Sequence, residues 1–232
     1  AEVLFLEGCR RMESADREAG GFFRKALALA PDLAEAWINL GLLLDGRGET
    51  ADAERCYRQA LERSPSRSEA WLNLGGLLTQ TKRLAEAEVA CQRAIALAPG
   101  SAACWTNLGV LEACRQRDQD AESCYRTALA LEPSHDNARF NLAYLLLRQG
   151  RFAEGWACLD ARDWYAAQTK HFTFPRWRGE PLQGKSILIG LEAGHGDMIQ
   201  FCRYALELKT RGATSVAMIC HPGLKALFAS LD

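Results

Sequence analysis

A pattern that recurs every 34 residues is the feature of this sequence that most limits its fold. The repeated motifs are Trp37-Ile-Asn-Leu-Gly41, Trp71-Leu-Asn-Leu-Gly75 and Trp105-Thr-Asn-Leu-Gly109, and the prolines that separate the repeats are Pro31, Pro65, Pro99 and Pro133. A fixed period of this length predicts an array of repeated supersecondary elements, each stacked on the next.

Each repeat is predicted to form two amphipathic helices. In the repeat that begins at residue 34, Trp37 and Leu44 fall on one helical face, and Ala53, Tyr57 and Ala60 share a face of a second helix. A proline ends each repeat because it cannot continue a helix. Neither helix can bury its apolar face alone, so we expect the stacked repeats to share one continuous core, as in a solenoid.

These landmarks resemble tetratricopeptide repeats over about residues 1–165. The resemblance implies a mainly α, right-handed solenoid. Repeat 1 is degenerate, with Val3 at the tryptophan position and Glu7 at the glycine position. The repeat boundaries are 1–33, 34–67, 68–101, 102–135 and, for a partial fifth repeat, 136–165.

Composition narrows the class of protein. The formal net charge of −1 and the lack of a basic cluster argue against a nucleic-acid partner. No apolar stretch reaches the roughly 20 residues that a membrane span requires, so no membrane contact is expected. The nine cysteines include no Cys-x-x-Cys pair, which favours reduced thiols, no metal site and a cytoplasmic location.

The sequence changes character after residue 165. Residues 166–185 are rich in aromatic residues, proline and glycine and are predicted to form an ordered linker. Residues 186–232 then show a succession of strand, helix, strand and helix, which is typical of the opening of a doubly wound, Rossmann-like sheet. The predicted elements are strand 186–191, helix 197–211, strand 215–220 and helix 222–230.

Two parallel strands cannot form a stable sheet alone, because at least one edge stays unpaired. We therefore expect either that these residues belong to a longer protein or that the open sheet edge supports self-association.

The segment from Arg151 to Tyr204 supports a second resemblance. Its landmarks are Arg151-Phe-Ala-Glu-Gly-Trp156, Pro175-Arg-Trp177 and Gly194-His-Gly-Asp-Met-Ile-Gln-Phe-Cys-Arg-Tyr204. They are similar to bacterial proteins in which tetratricopeptide repeats precede a glycosyltransferase domain of the two-Rossmann GT-B type, and to the start of lipopolysaccharide heptosyltransferases. The resemblance implies that Asp197 is the general base of an intact enzyme.

The predicted sheet also indicates a ligand site at its rim. Gly194, His195, Gly196 and Asp197 follow the first predicted strand, and His221 follows the second. Open α/β sheets bind ligands outside the carboxyl ends of their strands. Two interpretations of Asp197 remain open: it is a catalytic base, or it only caps its own helix.

Four asparagines at strict 34-residue intervals are the other candidate site: Asn39, Asn73, Asn107 and Asn141. Each lies on the first helix of its repeat and is predicted to face the inner, concave side of the solenoid. A carboxamide has both a donor and an acceptor, so it can bind an extended peptide backbone of any sequence.

The asparagines resemble the ladder of eukaryotic O-GlcNAc transferase. The alternative is that they only satisfy backbone groups of neighbouring repeats. A lysine and arginine clamp for a terminal carboxylate is not apparent, because the adjacent positions, taken to line the groove, are Ile38, Leu72, Thr106 and Phe140.

The sequence thus predicts a peptide-binding scaffold that recruits an acceptor protein to a GT-B glycosyltransferase domain largely absent from these residues. The alternative is a non-catalytic adaptor for protein–protein interaction, with a remnant or assembly-forming α/β segment. We expect no cofactor. A nucleotide sugar would be the donor substrate of the longer protein and would not be bound by this chain alone.

Overall fold

The computed structural model describes residues 1–14, 18–160, 177, 179–189, 203–219 and 225. The chain separates into two compact units, Ala1–Gln168 and Thr169–Asp232. In the described ranges of the first unit, ten helices form five consecutive pairs. They are α1 (Glu2–Glu13), α2 (Ala19–Leu29), α3 (Ala34–Gly46), α4 (Thr50–Arg63), α5 (Ser68–Gln80), α6 (Leu84–Leu97), α7 (Ala102–Cys114), α8 (Asp118–Leu131), α9 (Asp136–Arg148) and α10 (Phe152–Asp160).

Each repeat supplies one odd-numbered helix, called its A helix here, and one even-numbered helix, its B helix. The two helices of a repeat pack against each other, and each B helix from α2 to α8 also packs against the A helix of the next repeat. Successive A helices contact one another as well. The first unit is therefore mainly α and has the helical repeat array that the 34-residue period predicts.

A glycine on each of three A helices allows close packing against the B helix of the same repeat. A Cβ added at Gly41 would lie 2.5 Å from the ring of Tyr57, and Gly109 has the same relation to Tyr125. In repeat 3 a thiol takes the place of the ring. A Cβ added at Gly75 would lie 3.0 Å from Cys91 Sγ. Burial raises the pKa of Cys91 to about 12, so this side chain is a neutral part of the core, as its position in the repeat predicts.

In repeat 1, the glycine that packs against the B helix lies one residue later than the 34-residue period predicts. Gly8, and not the residue aligned at Glu7, lies against Phe23, where an added Cβ would come within 2.7 Å of the ring. Gly8 and Phe23 are 15 residues apart, whereas Gly41 and Tyr57 are 16 apart, so the first helix pair is one residue shorter between its packing residues. Repeat 1 therefore keeps the packing of the other repeats although its motif looks degenerate.

The tryptophan of the motif fixes the turn between repeats. Its indole Nε1 donates a hydrogen bond to the carbonyl of the proline six residues earlier, which links the end of one repeat to the start of the next. The bonds are Trp37 to Pro31 (2.9 Å), Trp71 to Pro65 (2.8 Å) and Trp105 to Pro99 (2.9 Å), and in repeat 5 Arg139 donates to Pro133 instead. The prolines therefore act as acceptors as well as helix terminators.

The turn between the A and B helices requires a left-handed residue in repeats 2 to 5. The φ angles are 77° at Gly48, 63° at Lys82, 62° at Gln116 and 78° at Gly150. Glycine adopts this conformation freely, whereas a side chain with a Cβ is disfavoured there. Repeats 3 and 4 thus hold a less favourable residue at a position where repeats 2 and 5 have glycine.

The described part of the second unit contains strand β1 (Ser186–Ile189), helix α11 (Arg203–Thr210) and strand β2 (Ser215–Met218). The strands pair in parallel, with Ser186 opposite Ser215 and Ile189 opposite Met218. The predicted succession of strand, helix and parallel strand is confirmed for these residues. The small sheet is not by itself a Rossmann-like domain, and the predicted last helix, apart from Lys225, lies outside the described residues.

No described helix has the length and apolar character needed to cross a membrane.

Candidate functional site

The A helices of repeats 2 to 5 carry the four asparagines on one surface, which we call the A-helix face. Asn39, Asn73, Asn107 and Asn141 lie at the same position of α3, α5, α7 and α9, and all four are half-buried. Since each of these helices contacts the next, the carboxamides follow one another along the array.

Two of the four carboxamides bind the preceding repeat. Asn107 Nδ2 donates to the carbonyl oxygen of Leu72 at 3.0 Å, and Asn39 Nδ2 lies 3.4 Å from Cys9 Sγ. Within the described residues, the side chains of Asn73 and Asn141 form no hydrogen bond. The bond from Asn107 is the contact that the alternative, structural interpretation of these asparagines predicts.

This contact leaves room for a second role. A carboxamide has two N–H groups and an acceptor oxygen, and the bond to Leu72 uses one of the N–H groups. It also fixes the orientation of the Asn107 side chain, which a ligand would otherwise have to order on binding. The peptide-binding role of the asparagines stays a prediction.

The residues that precede the asparagines do not all line the A-helix face, as the sequence suggested. Ile38 and Thr106 are buried, and the Thr106 hydroxyl donates to the carbonyl of Ala102 at 2.8 Å within its own helix. Phe140 is partly exposed. The groove interpretation is therefore wrong for Ile38 and Thr106, whose side chains are buried.

The position three residues after each asparagine lies on the A-helix face and varies strongly between repeats. It holds Leu42, Gly76, Val110 and Tyr144, of which Leu42 and Tyr144 are exposed large hydrophobic residues. A Cβ at Gly76 would lie 3.3 Å from Asn107 Nδ2. Glycine at this position therefore gives the Asn107 carboxamide space beside repeat 3.

A cleft on the A-helix face lies between repeats 4 and 5. Its volume is about 330 Å³, and its lining residues are Val110, Ala113, Cys114, Tyr125, Asn141, Tyr144, Leu145 and Arg148. The ring centroids of Phe140 and Tyr144 are 4.7 Å apart beside it. Arg148 forms an ion pair with Asp118.

Sequence reasoning did not single out this cleft. A signal was present, because Tyr144 and Arg148 follow Asn141 by three and seven residues and so share its helical face. Among the described residues, no group of three or more His, Cys, Asp or Glu side chains is arranged to hold a metal ion.

The predicted rim of the sheet lies outside the described residues. Gly194, His195, Gly196, Asp197 and His221 all belong to this part of the chain. The two interpretations of Asp197, as a base or as a helix cap, therefore both remain predictions.

Comparison with known proteins gives one sequence relative. Protein FlbA of Caulobacter vibrioides is 38% identical over 66 residues, which are 27% of this chain and 11% of FlbA. The chain therefore matches only about a tenth of the length of that relative.

Solved structures share the fold at low identity. PilF of Pseudomonas aeruginosa is 23% identical with a TM-score of 0.61, over 69% of this chain and 73% of PilF. A chain of the APC/C hetero-tetramer Cut9–Hcn1 is 20% identical with a TM-score of 0.65, over 71% of this chain and 33% of that one.

The family comparison agrees with the architecture. The tetratricopeptide repeat family matches residues 38–102 and 115–167, which together are just over half of the sequence. Both segments lie in the first unit. The chain therefore belongs to the tetratricopeptide repeat family.

Proposed function

We propose that this chain is a protein-interaction scaffold whose A-helix face binds extended segments of partner proteins. The observation that carries the proposal is the alignment of four half-buried carboxamides on four successive, mutually packed A helices. An extended peptide backbone presents N–H and C=O groups at regular intervals, and carboxamides can pair with both.

Apolar side chains on the same face support the proposal. Leu42, Phe140 and Tyr144 are large hydrophobic residues that are more than one-third exposed, although they lie on helices whose other face is in the core. Exposed apolar groups beside polar backbone-binding groups are typical of protein interaction sites. Membership of a repeat family with extended binding surfaces agrees with this function.

The test is peptide binding by a variant in which Asn73→Ala and Asn107→Ala are combined, measured by fluorescence anisotropy against a peptide library. For a peptide that the wild type binds, we expect a loss of about 1 to 3 kcal/mol, because hydrogen bonds to a desolvated backbone disappear. Gln92→Ala, at an exposed carboxamide on the B helix α6, is the matched control and should leave affinity unchanged.

The single variants separate binding from structure. Asn107→Ala should lower thermal stability, because it removes the bond to Leu72, whereas Asn73→Ala should not. Both should weaken peptide binding. If affinity falls only in Asn107→Ala, and only together with stability, the asparagines join repeats and do not bind peptide.

Recruitment of an acceptor to a glycosyltransferase domain is the second candidate function. The resemblance of residues 151–204 and the parallel pairing of β1 with β2 support it. A natural protein that contains this chain and transfers sugar should lose about 100-fold or more of its turnover on Asp197→Asn, the scale for losing a positioned base. Unchanged turnover would indicate that Asp197 only caps its helix.

A further inference from the structure

Lys82 is unusual both in its backbone and in its surroundings. It adopts a φ of 63° in the turn of repeat 3, at the position that glycine occupies in repeats 2 and 5. Its Nζ lies 4.0 Å from Cys114 Sγ, across the boundary with repeat 4. In the described part of the chain no carboxylate lies within 4 Å of this ammonium group, so its charge is left for another partner.

Cys114 also lines the cleft between repeats 4 and 5, so the Lys82 ammonium lies beside that cleft, in contact with one of its lining residues. The remaining walls are largely apolar, with Val110, Ala113 and Leu145. The other cation at the cleft, Arg148, is already paired with Asp118. A largely apolar cleft thus lies beside one cation, Lys82, that has no carboxylate partner among the described residues.

We propose that this cleft binds a large apolar side chain of the partner segment and that Lys82 pairs with an acidic side chain next to it. The inference rests on the scaffold function proposed above, and it adds the chemistry of the partner: an acidic residue adjacent to an aromatic or large aliphatic residue. The carboxamides recognise the backbone without regard to sequence, whereas the cleft and Lys82 supply the sequence preference.

The experiment uses decapeptides with blocked ends and Gly/Ser flanks, in which the central pair is Glu-Phe, Gln-Phe, Lys-Phe or Glu-Ser. Anisotropy with the full chain should show tightest binding for Glu-Phe. We expect affinity to fall about fivefold for Gln-Phe, the scale of a partly exposed ion pair, and about tenfold or more for Glu-Ser, which leaves the cleft unfilled.

Lys82→Gly is the informative variant, because glycine suits the backbone at this position and the fold should be kept. It should weaken Glu-Phe about fivefold, to the level of Gln-Phe, and leave Gln-Phe unchanged. Gln116→Gly makes the same backbone change one repeat later and should change neither affinity. The Glu-Phe preference should also shrink at high salt.

Tyr144→Ala tests the apolar part. Tyr144 is well exposed, so its removal should leave the fold intact while it weakens Glu-Phe more than Glu-Ser. Val89→Ala removes an exposed apolar group from a B helix and is the control, with no expected effect on binding.

Equal affinity for Glu-Phe, Gln-Phe and Lys-Phe, unchanged by Lys82→Gly, would overturn this inference. The scaffold function would survive that result if the combined Asn73 and Asn107 variant still lost affinity. A preference for Glu-Phe that Lys82→Gly does not reduce would also overturn the role of Lys82. Absence of binding by every peptide would overturn both proposals.

Discussion

Polar side chains join neighbouring repeats at two successive boundaries, but they lie in different places. The two boundaries are the one between repeats 2 and 3 and the one between repeats 3 and 4. At the first, Arg83 pairs with Glu54 at 2.7 Å and Arg58 with Glu86 at 3.1 Å, all on or beside the B helices and at least partly exposed. At the second, Arg115 of repeat 4 reaches Glu88 at 2.8 Å and the carbonyl of Leu84 at 3.1 Å.

The surface cluster at the first boundary recurs 68 residues later. The equivalent residues, between repeats 4 and 5, are Glu122, Arg126, Arg151 and Glu154, with Arg151 to Glu122 at 2.7 Å and Arg126 to Glu154 at 3.2 Å. The same set of ion pairs therefore occurs at two boundaries that are two repeats apart, whereas the boundary between repeats 3 and 4 has different contacts.

The difference extends into the core. Glu112 occupies the position that holds Leu44, Leu78 and Leu146 in repeats 2, 3 and 5, and it is only 6% exposed. Its carboxylate oxygens lie 3.4 Å from guanidinium nitrogens of Arg115 and Arg117. A helix pair of this kind can therefore hold a buried carboxylate when two arginines follow it in the turn, although other repeats have a leucine at that position.

The largest expected effect concerns the glycine contacts inside repeats 2 and 3, which these boundaries adjoin. Gly41→Ala should destabilise the array by about 2 to 4 kcal/mol, because the new Cβ would overlap the buried Tyr57 ring. Gly75→Ala should change stability by less than about 1 kcal/mol, since the Cys91 thiol is smaller and alanine favours the helix. Urea unfolding of the two variants checks this, and equal losses would contradict the difference between ring and thiol.

Glu112→Leu should give the next largest effect, in the opposite direction. Replacing this buried charge by the leucine of repeats 2, 3 and 5 should stabilise the chain by about 1 to 3 kcal/mol, because Arg115 keeps its ion pair with Glu88 and Arg117 is exposed to water. The reciprocal change, Leu78→Glu, places a carboxylate in the core of repeat 3 and should be strongly destabilising. A destabilising Glu112→Leu would show that the contacts with Arg115 and Arg117 outweigh the desolvation of the carboxylate.

The smallest expected effect concerns the surface cluster. The hydrogen bond from Arg151 lowers the pKa of Glu122 from its ordinary value of 4.5, and the bond from Arg126 acts in the same direction. A lowered folded-state pKa means that the carboxylate stabilises the protein above about pH 5 and that this contribution is lost as the pH falls through the folded pKa.

Glu122→Gln should therefore cost about 0.5 to 1 kcal/mol near pH 7, a modest value because Arg126 and Arg151 are partly exposed and screened. The gap from the wild type should close as the pH is lowered from about 5 towards about 3. Glu49→Gln, at an exposed glutamate without an ion pair in the described ranges, is the control. If the difference in stability between Glu122→Gln and the wild type does not change with pH, the ion pairs are not its cause.

The sequence was sufficient to predict the helix pairs, their spacing and the positions of the four asparagines. It was not sufficient for repeat 1, where the motif pointed to Glu7 and the structure uses Gly8, because the glycine and the ring that it packs against are one residue closer in sequence there than in repeat 2. Sequence reasoning also missed Lys82 and the cleft. Lys82 stands at a turn position where repeats 2 and 5 have glycine, and it belongs to no recognisable motif.

The sequence by itself determined the period, the two amphipathic faces of each repeat and the place of each asparagine, because these follow from local helical geometry. Only the tertiary structure decided what those residues contact. The bond from Asn107 to Leu72, the indole bonds to the proline carbonyls and the arginines around Glu112 depend on how close neighbouring helices come. That distance is set by side-chain packing between the helices of neighbouring repeats, which no single repeat specifies.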